Sequence, residues 1–301
     1  NWWSDTALVV AALMIIFSII FGTRNVNATE HHHGMMLAIA FESLIKLLAF
    51  IAAGVFVTFS MFGGVGDLLS SAAASPIIVE RFTGGIDGSK WITITLLSMV
   101  AIICLPRQFH VAVVENANEG ELKKAAWIFP LYLIAINLFV IPIALAGLLA
   151  FGGSTLDADT FVLALPMLKQ QETLALLVFI GGLSAATGMV IVATVALSTM
   201  VSNDVVMPLF IRFGPHRIGN RGDIGKLVLR VRRTSIFFIL VLAFSYYRIA
   251  GEGQALASIG LISFAAVAQF APSIFGAIFW QKASRFGALS GVLLGFFIWA
   301  Y

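Results

Sequence analysis

The chain of 301 residues consists mainly of long apolar stretches separated by short polar connections. A helix that crosses a hydrocarbon core of about 30 Å needs about 20 consecutive apolar residues. Eight stretches approach or exceed this length, and we label them spans A to H. They cover approximately Thr6–Gly22, Gly34–Phe62, Trp91–Val114, Ala125–Phe151, Thr173–Val201, Thr234–Ala250, Ala255–Trp280 and the residues from Gly287 onward. A membrane β-barrel would instead show alternating segments of about 10 residues, so the pattern predicts an all-α membrane protein with eight helices.

Two of the connections are long enough to contain structure of their own. The connection between spans B and C has an apolar piece near Leu68–Val79. The connection between spans D and E has Asp157 and Asp159 followed by Phe161–Met167. In each case we predict an external loop with a short helix that lies on the protein.

Composition supports a membrane protein and excludes several other classes. Hydrophobic residues make up 60% of the chain and charged residues 11%, whereas soluble domains contain about 25% charged residues. This excludes a soluble enzyme, a disordered chain and a disulfide scaffold. The single cysteine, Cys104, can form no disulfide within the chain. The basic stretch lacks a nucleic-acid-binding motif, so we expect membrane lipid and not nucleic acid as a partner.

The distribution of basic residues predicts the orientation. Cytoplasmic connections carry an excess of Lys and Arg close to the ends of the spans. If the A–B, C–D, E–F and G–H connections are cytoplasmic, most of the 18 basic residues lie on that side. They are Arg24, Lys123, Lys124, Arg212, Arg217, Arg221, Lys226, Arg230, Arg232, Arg233, Lys282 and Arg285. We therefore predict a multi-pass protein of the inner (plasma) membrane with Asn1 outside.

Span B carries two charged residues at membrane depth, Glu42 and Lys46. Charged groups at this depth are costly and usually face a protein interior or a water-filled cavity. The two residues are one helical turn apart and share a face of the helix. They predict either a structural ion pair that neutralises itself, or part of a gate or of a pathway for protons or substrate.

Span C contains a proline followed by three polar side chains, Arg107, Gln108 and His110. Pro106 removes a backbone hydrogen bond and breaks the helix, and transporters form substrate sites at such discontinuous helices. Arg107 suits a carboxylate, and His110 could carry a proton. The structural alternatives are a salt bridge from Arg107 to Glu115 or to the glutamate of span B, and a satisfied core hydrogen bond for His110.

Span E is rich in small and hydroxyl residues, from Gly181 to Gly188 and at Thr194, Ser198 and Thr199. Small residues allow helices to approach closely, and hydroxyls bond to neighbouring helices or back to their own backbone. The alternative is an alkali-ion site, since hydroxyl and carbonyl oxygens suit a hard cation. In span D, Asn137 predicts an interhelical hydrogen bond. No H-E-x-x-H or G-x-S-x-G sequence occurs, so no catalytic residue and no cofactor is predicted.

Seven segments together carry a family resemblance. They are Phe21–Arg24, Ala28–His31, Ala38–Leu47, Leu105–His110, Val114–Asn116, Gly181–Ala186 and Ala196–Asn203. With these segments the chain resembles the sodium:solute symporter family. It is more similar still to the transporter-like domain fused to bacterial membrane sensor histidine kinases. The similarity covers essentially all 301 residues.

The resemblance implies an amino-acid-transporter-like helix bundle, a fold with a five-plus-five inverted repeat. Residues 1–301 would form one transmembrane domain, with spans A and B as core helices four and five. Spans C to G would form the second repeat, and span H an added helix. The orientation predicted from the charges agrees with that of the family. Because the chain begins at Asn1 and ends at Tyr301 inside an apolar run, we expect a piece of a longer protein.

The family's sodium site uses an alanine carbonyl and two adjacent hydroxyl residues on the helix that matches span E. Counted back from Ser198 and Thr199, these positions fall on Ala185, Gly188 and Met189, so the hydroxyl pair is missing, although Thr187 is close by. The resemblance thus implies a degenerate sodium site at Ala185, Thr187 and Gly188. The site would be lost, shifted by a residue or replaced by proton coupling.

The resemblance implies that a small organic solute, an amino acid or a short carboxylate, is bound or transported. Arg107 and Gln108 would contact the solute, His110 would carry a proton, and Glu42 and Lys46 would contribute from span B. A histidine kinase would follow in the chain, with a kinase region that forms a homodimer and a response regulator as its partner. The alternatives are a plain cation:solute symporter without signalling and a structural membrane anchor of a kinase.

Overall fold

The computed structural model describes residues 5–22, 33–83, 87–116, 118–154, 156–213, 221–250 and 256–301. In these ranges all regular secondary structure is helical, which confirms the all-α prediction. The helices are α1 (Thr6–Gly22), α2 (His33–Val55), α3 (Val65–Ala74), α4 (Pro76–Thr83), α5 (Gly88–Cys104), α6 (Pro106–Phe109), α7 (Glu119–Asn137), α8 (Val140–Phe151), α9 (Phe161–Leu168), α10 (Glu172–Met200), α11 (Met207–Phe213), α12 (Arg221–Ala250), α13 (Leu256–Ala268), α14 (Ala271–Phe279) and α15 (Arg285–Ala300). Wider π-helical turns continue α2 over Phe56–Met61, α6 over His110–Val114 and α10 over Val201–Val206.

Within the described ranges, four helical segments are long and apolar enough to cross a membrane. They are Met36–Met61, Gly120–Phe151, Glu172–Phe213 and Leu256–Phe279. A fifth span results if Gly88–Cys104 and Pro106–Val114, which are bent by 49° relative to each other, count as one. These five coincide with predicted spans B, C, D, E and G. The chain thus has a membrane-like helical architecture, while spans A, F and H stay predictions.

Contacts within the chain define two compact units. Unit 1 comprises Asn1–Gly85 and Ala117–Ile249, and unit 2 comprises Ile86–Asn116 and Ala250–Tyr301. Helices α1 to α4 and α7 to α12 belong to unit 1, and α5, α6 and α13 to α15 belong to unit 2.

The hydrophobic core of unit 1 includes the short helices of the two long connections. Buried side chains of α3, α4 and α9 pack with those of α2, α8 and α10 in one cluster. Leu68 of α3 and Leu165 of α9 are almost fully buried there. The short helix predicted between spans D and E is confirmed as α9. The one predicted between spans B and C is divided in two, because Ser75 is extended before Pro76, which begins α4.

Two glycines allow the helices of this core to approach closely. A Cβ atom built on Gly54 of α2 would overlap the ring of Phe139, and one built on Gly147 of α8 would overlap the ring of Phe161. The aromatic rings therefore occupy the space that side chains at these positions would need. Small residues support close helix packing in membranes in this way.

Unit 2 is built around the broken span C. Asp87 caps the start of α5 by accepting hydrogen bonds from the backbone N–H groups of Ser89 and Lys90. Helix α13 packs along α5. The indole N–H of Trp299 on α15 donates to the carbonyl of Ile262 on α13 over 3.3 Å.

The connection between spans E and F is shorter than the sequence predicts. Helix α11 extends the path of α10 to Phe213, and α12 begins at Arg221, well before the predicted start of span F at Thr234. Basic residues have a high helix propensity, so the charged stretch continues the apolar helix instead of forming a loop. Arg24 and Arg217, together with the motif positions from residue 23 to residue 31, lie outside the described ranges.

Candidate functional site

The break predicted in span C lies at Leu105 and Pro106. Leu105 is extended, with φ −68° and ψ 123°, and its N–H still donates to the carbonyl of Ala101 over 2.9 Å. Pro106 then begins α6, and the two halves of the span are bent by 49°. Because proline has no N–H, the carbonyl of Ile102 lacks its helical donor. The predicted interruption is therefore present.

The three polar residues that follow the break differ in burial. Arg107 and Gln108 are half-buried, whereas His110 is buried. The Nε2 atom of His110 lies 3.3 Å from Oε1 of Glu115, and both side chains are nearly inaccessible. A buried imidazole beside a carboxylate is a pair that can hold a proton, and the satisfied core hydrogen bond predicted as the alternative for His110 stays a prediction.

A π-helical turn brings His110 and Glu115 together. The backbone N–H of Glu115 donates to the carbonyl of His110 over 2.9 Å, five residues earlier in the chain. This wider turn places residues five apart on the same face, where a regular α-helix would align residues three or four apart.

Arg107 does not use the carboxylate that the sequence offered as a structural partner. Glu115 pairs with His110. Within the described part of unit 2, Arg107 makes no ion pair shorter than 4 Å. The guanidinium is therefore available to a carboxylate from outside this part of the chain, and its planar donors suit one.

In unit 1 the structure places Glu42 against Gly188. Helices α2 and α10 pack closely, with Gly181 against Ala49 and the backbone of Lys46. Further along, a Cβ built on Gly188 would overlap the Glu42 carboxylate, so this carboxylate lies directly against the glycine. A predicted substrate residue of span B thus contacts a predicted ion-site residue of span E.

Glu42 and Lys46 share a face of α2 without a direct ion pair. Among described residues, no ion pair within 4 Å joins Glu42 to Lys46. The Glu42 carboxylate instead lies against Gly188 of α10. The Lys46 charge nevertheless stabilises the Glu42 carboxylate through space, without direct contact.

The hydroxyl groups of α10 bond to their own helix. Thr187 Oγ1 donates to the carbonyls of Leu183 and Ser184, and Thr194 and Ser198 donate back in the same manner. Ala185, Thr187 and Gly188 lie within one continuous α-helix. Gly188 and Met189 supply no side-chain oxygen. The oxygen ligands that α10 alone offers therefore do not match those of the family's sodium site. The charged oxygen recorded next to them is the Glu42 carboxylate.

Comparison of the chain with protein-family models, with curated proteins and with solved structures gives no match. The helices and the broken apolar span with its polar residues define only a class, a protein with a membrane-like helical architecture. The resemblance to the sodium:solute symporter family stays a prediction.

Replacing Gly188 with alanine should destabilise the protein by about 1–3 kcal/mol, because the new methyl group displaces the Glu42 carboxylate. The matched control is Gly182→Ala on the same helix, where a Cβ meets no atom within 4 Å. Thermal unfolding of the full-length protein in detergent measures both changes. In a Glu42→Ala background the cost of Gly188→Ala should largely disappear. An unchanged cost there would show that the carboxylate does not occupy this space.

Proposed function

We propose that this chain is a transporter-like membrane domain that binds or transports a small organic solute, an amino acid or a short carboxylate. The observation that carries the proposal is the broken apolar span at Pro106, with Arg107 and Gln108 half-buried directly after the break. The domain would lie in the inner membrane with Asn1 outside, as the basic residues predict.

A break of this kind has a physical requirement. In hydrocarbon, backbone groups that lack helical partners must face protein or a water-filled cavity. A solute with polar atoms can satisfy the same groups, which is why transporters place substrate at discontinuous helices. Arg107 adds a fixed positive charge whose donors fit a carboxylate. The carboxylate of a bound solute would therefore compensate the charge of Arg107, and the ammonium group of an amino acid would donate to the freed carbonyl of Ile102.

The proposal includes the finer predictions from the family resemblance. These are eight spans, the five-plus-five inverted repeat and a histidine kinase that follows in the chain. A solute that contacts two conformations differently shifts their populations, and a kinase could respond to that shift. A plain symporter would share the solute site and lack the kinase, so the sequence that follows residue 301 distinguishes the two.

The proposal is tested by reconstituting the full-length protein in liposomes. Uptake of labelled L-histidine and labelled acetate is measured with and without a sodium gradient and a pH gradient, and binding is measured separately in detergent. We expect saturable binding of at least one solute class. Uptake that follows the pH gradient and ignores sodium would agree with the missing hydroxyl pair on α10. If the protein neither binds nor takes up amino acids or short carboxylates, the proposal is contradicted. The structural membrane anchor is then the alternative that remains.

Replacing Arg107 with alanine should weaken binding of an anionic solute about 10- to 100-fold, since a hydrogen bond to a charged group contributes about 1.5–3 kcal/mol. Binding is measured by titration of labelled solute into the full-length protein. Arg248→Ala is the control, because Arg248 is half-exposed and pairs with Asp5 over 3.3 Å. Unchanged affinity in the Arg107 variant would exclude its role as the carboxylate partner.

A further inference from the structure

Helix α12, which contains the predicted span F, is longer than a hydrocarbon layer is thick. Its 30 residues extend about 45 Å, which equals the thickness of a bilayer with its headgroups. The apolar part from Thr234 to Ala250 accounts for about 26 Å of this length. If that part lies in the hydrocarbon, the residues just before Thr234 lie at the level of the lipid headgroups.

A groove of about 460 Å³ lies on this part of α12. It is lined by Lys226, Leu229, Arg230, Arg233, Thr234 and Phe237. The three basic side chains and Phe237 are exposed. Neither Lys226 nor Arg230 lies within 4 Å of a carboxylate in the described part of the chain. The groove therefore combines cations at headgroup level with an aromatic side chain one turn deeper, at the level of acyl chains.

The opposite face of α12 packs against the protein, so the groove is the outward face. Val228, Arg232 and Ile236 form a buried stripe, and Ile236 approaches Gly22 of α1. Arg232 is 5% exposed, and its Nε atom has no hydrogen-bond partner among described residues. Burial lowers the pKa of the Arg232 guanidinium, which stays charged at neutral pH because the ordinary pKa of arginine is far above neutrality. This fourth cation adds to the positive potential of the groove.

We propose that this groove binds the headgroup of an anionic phospholipid, with Lys226, Arg230 and Arg233 around the phosphate and Phe237 beside the acyl chain. Basic pockets at the cytoplasmic ends of spans attract such lipids, and the basic residues of this chain predict the cytoplasmic leaflet here. Charge complementarity selects an anionic lipid over a zwitterionic one. The proposal does not depend on solute transport.

The test is native mass spectrometry of the full-length protein in detergent, titrated with phosphatidylglycerol or with phosphatidylcholine. We expect phosphatidylglycerol to bind at least about 10-fold more tightly, and added salt to reduce the difference. The double variant Lys226→Gln/Arg230→Gln should weaken phosphatidylglycerol binding about 25-fold, at about fivefold for each cation near the surface. Binding of phosphatidylcholine should not change.

The matched control is Lys123→Gln/Lys124→Gln, which removes two exposed cations from α7 on the same predicted side of the membrane. Equal weakening in this control would overturn the proposal, since it would indicate general surface charge. Equal binding of the two lipids by the unchanged protein would also overturn it. Displacement of phosphatidylglycerol by inorganic phosphate at matching concentration would show a site for a free anion and not for a lipid. Phe237→Ala, which keeps every charge, should lower the affinity for phosphatidylglycerol and leave the affinity for inorganic phosphate unchanged.

Discussion

Replacing Pro106 with alanine is expected to lower the affinity for the solute at least about 100-fold while the protein remains folded. Alanine restores a backbone N–H, which can donate to the carbonyl of Ile102 and allow α5 and α6 to form one straight helix. The bend of 49° would then disappear, and Arg107 and Gln108 would rotate away from their present positions. A loss of this size corresponds to about 2.7 kcal/mol of binding free energy.

The measurement is equilibrium binding of labelled solute to the full-length protein, with thermal unfolding as a second readout. Thermal stability should be maintained or rise, because alanine is the better helix former. The control is Pro130→Ala, a proline inside α7 with an exposed side chain, for which binding should not change. If the Pro106 variant bound the solute as tightly as the unchanged protein, the broken span would not form the site.

The break in span C could be predicted because its cause is local. A proline inside an apolar run removes one backbone donor and disfavours the helical conformation of the residue before it, which favours a break at Pro106 although α7 continues through Pro130. The partner of His110 could not be predicted in this way. Regular helical spacing connects residues three or four apart, whereas the π-helical turn connects His110 to Glu115, five apart. In the sequence, Glu115 is instead one of two alternative salt-bridge partners of Arg107, the other being Glu42.

The position of Glu42 shows a second limit of local reasoning. Spacing along span B pairs Glu42 with Lys46, but the carboxylate lies against Gly188 of another helix. The sequence does not predict which side chain of another helix packs against a glycine. Asn137 is the converse case, because its side chain donates to the carbonyl of Leu133 in its own helix over 2.7 Å and not to another helix. Polar side chains in apolar helices often find the nearby backbone first.

The predicted site residues belong to two units of the chain. Glu42, Lys46, Ala185, Thr187 and Gly188 lie in unit 1, and Arg107, Gln108 and His110 lie in unit 2. Unit 1 brings Glu42 to Gly188, and unit 2 brings His110 to Glu115. In the first contact an ionisable side chain lies against a glycine. In the second, two ionisable side chains meet because of a π-helical turn. Variants in the two units can therefore be tested separately, with binding as the readout they share.

Replacing Glu115 with alanine is expected to lower the free energy of unfolding by about 3–5 kcal/mol. The side chains of His110 and Glu115 are 6% and 5% exposed, and removal of one member of a buried pair is strongly destabilising. Reversible denaturation of the full-length protein in micelles measures the change. The control is Glu121→Ala on α7, where the side chain is exposed and the effect should stay within about 0.5 kcal/mol.

A double-mutant cycle separates the contact from the other effects of each substitution. His110→Ala and Glu115→Ala should couple by about 0.5–3 kcal/mol, because residues in contact do not act additively. A coupling energy near zero would contradict the ion pair. A strong coupling in stability, together with unchanged solute binding in His110→Ala, would make His110 a structural residue of the broken span. The His110→Ala variant could instead retain solute binding and lose the uptake that a pH gradient drives. The pair would then be needed for proton coupling and not for recognition of the solute. This result would make the buried imidazole the group that carries the proton.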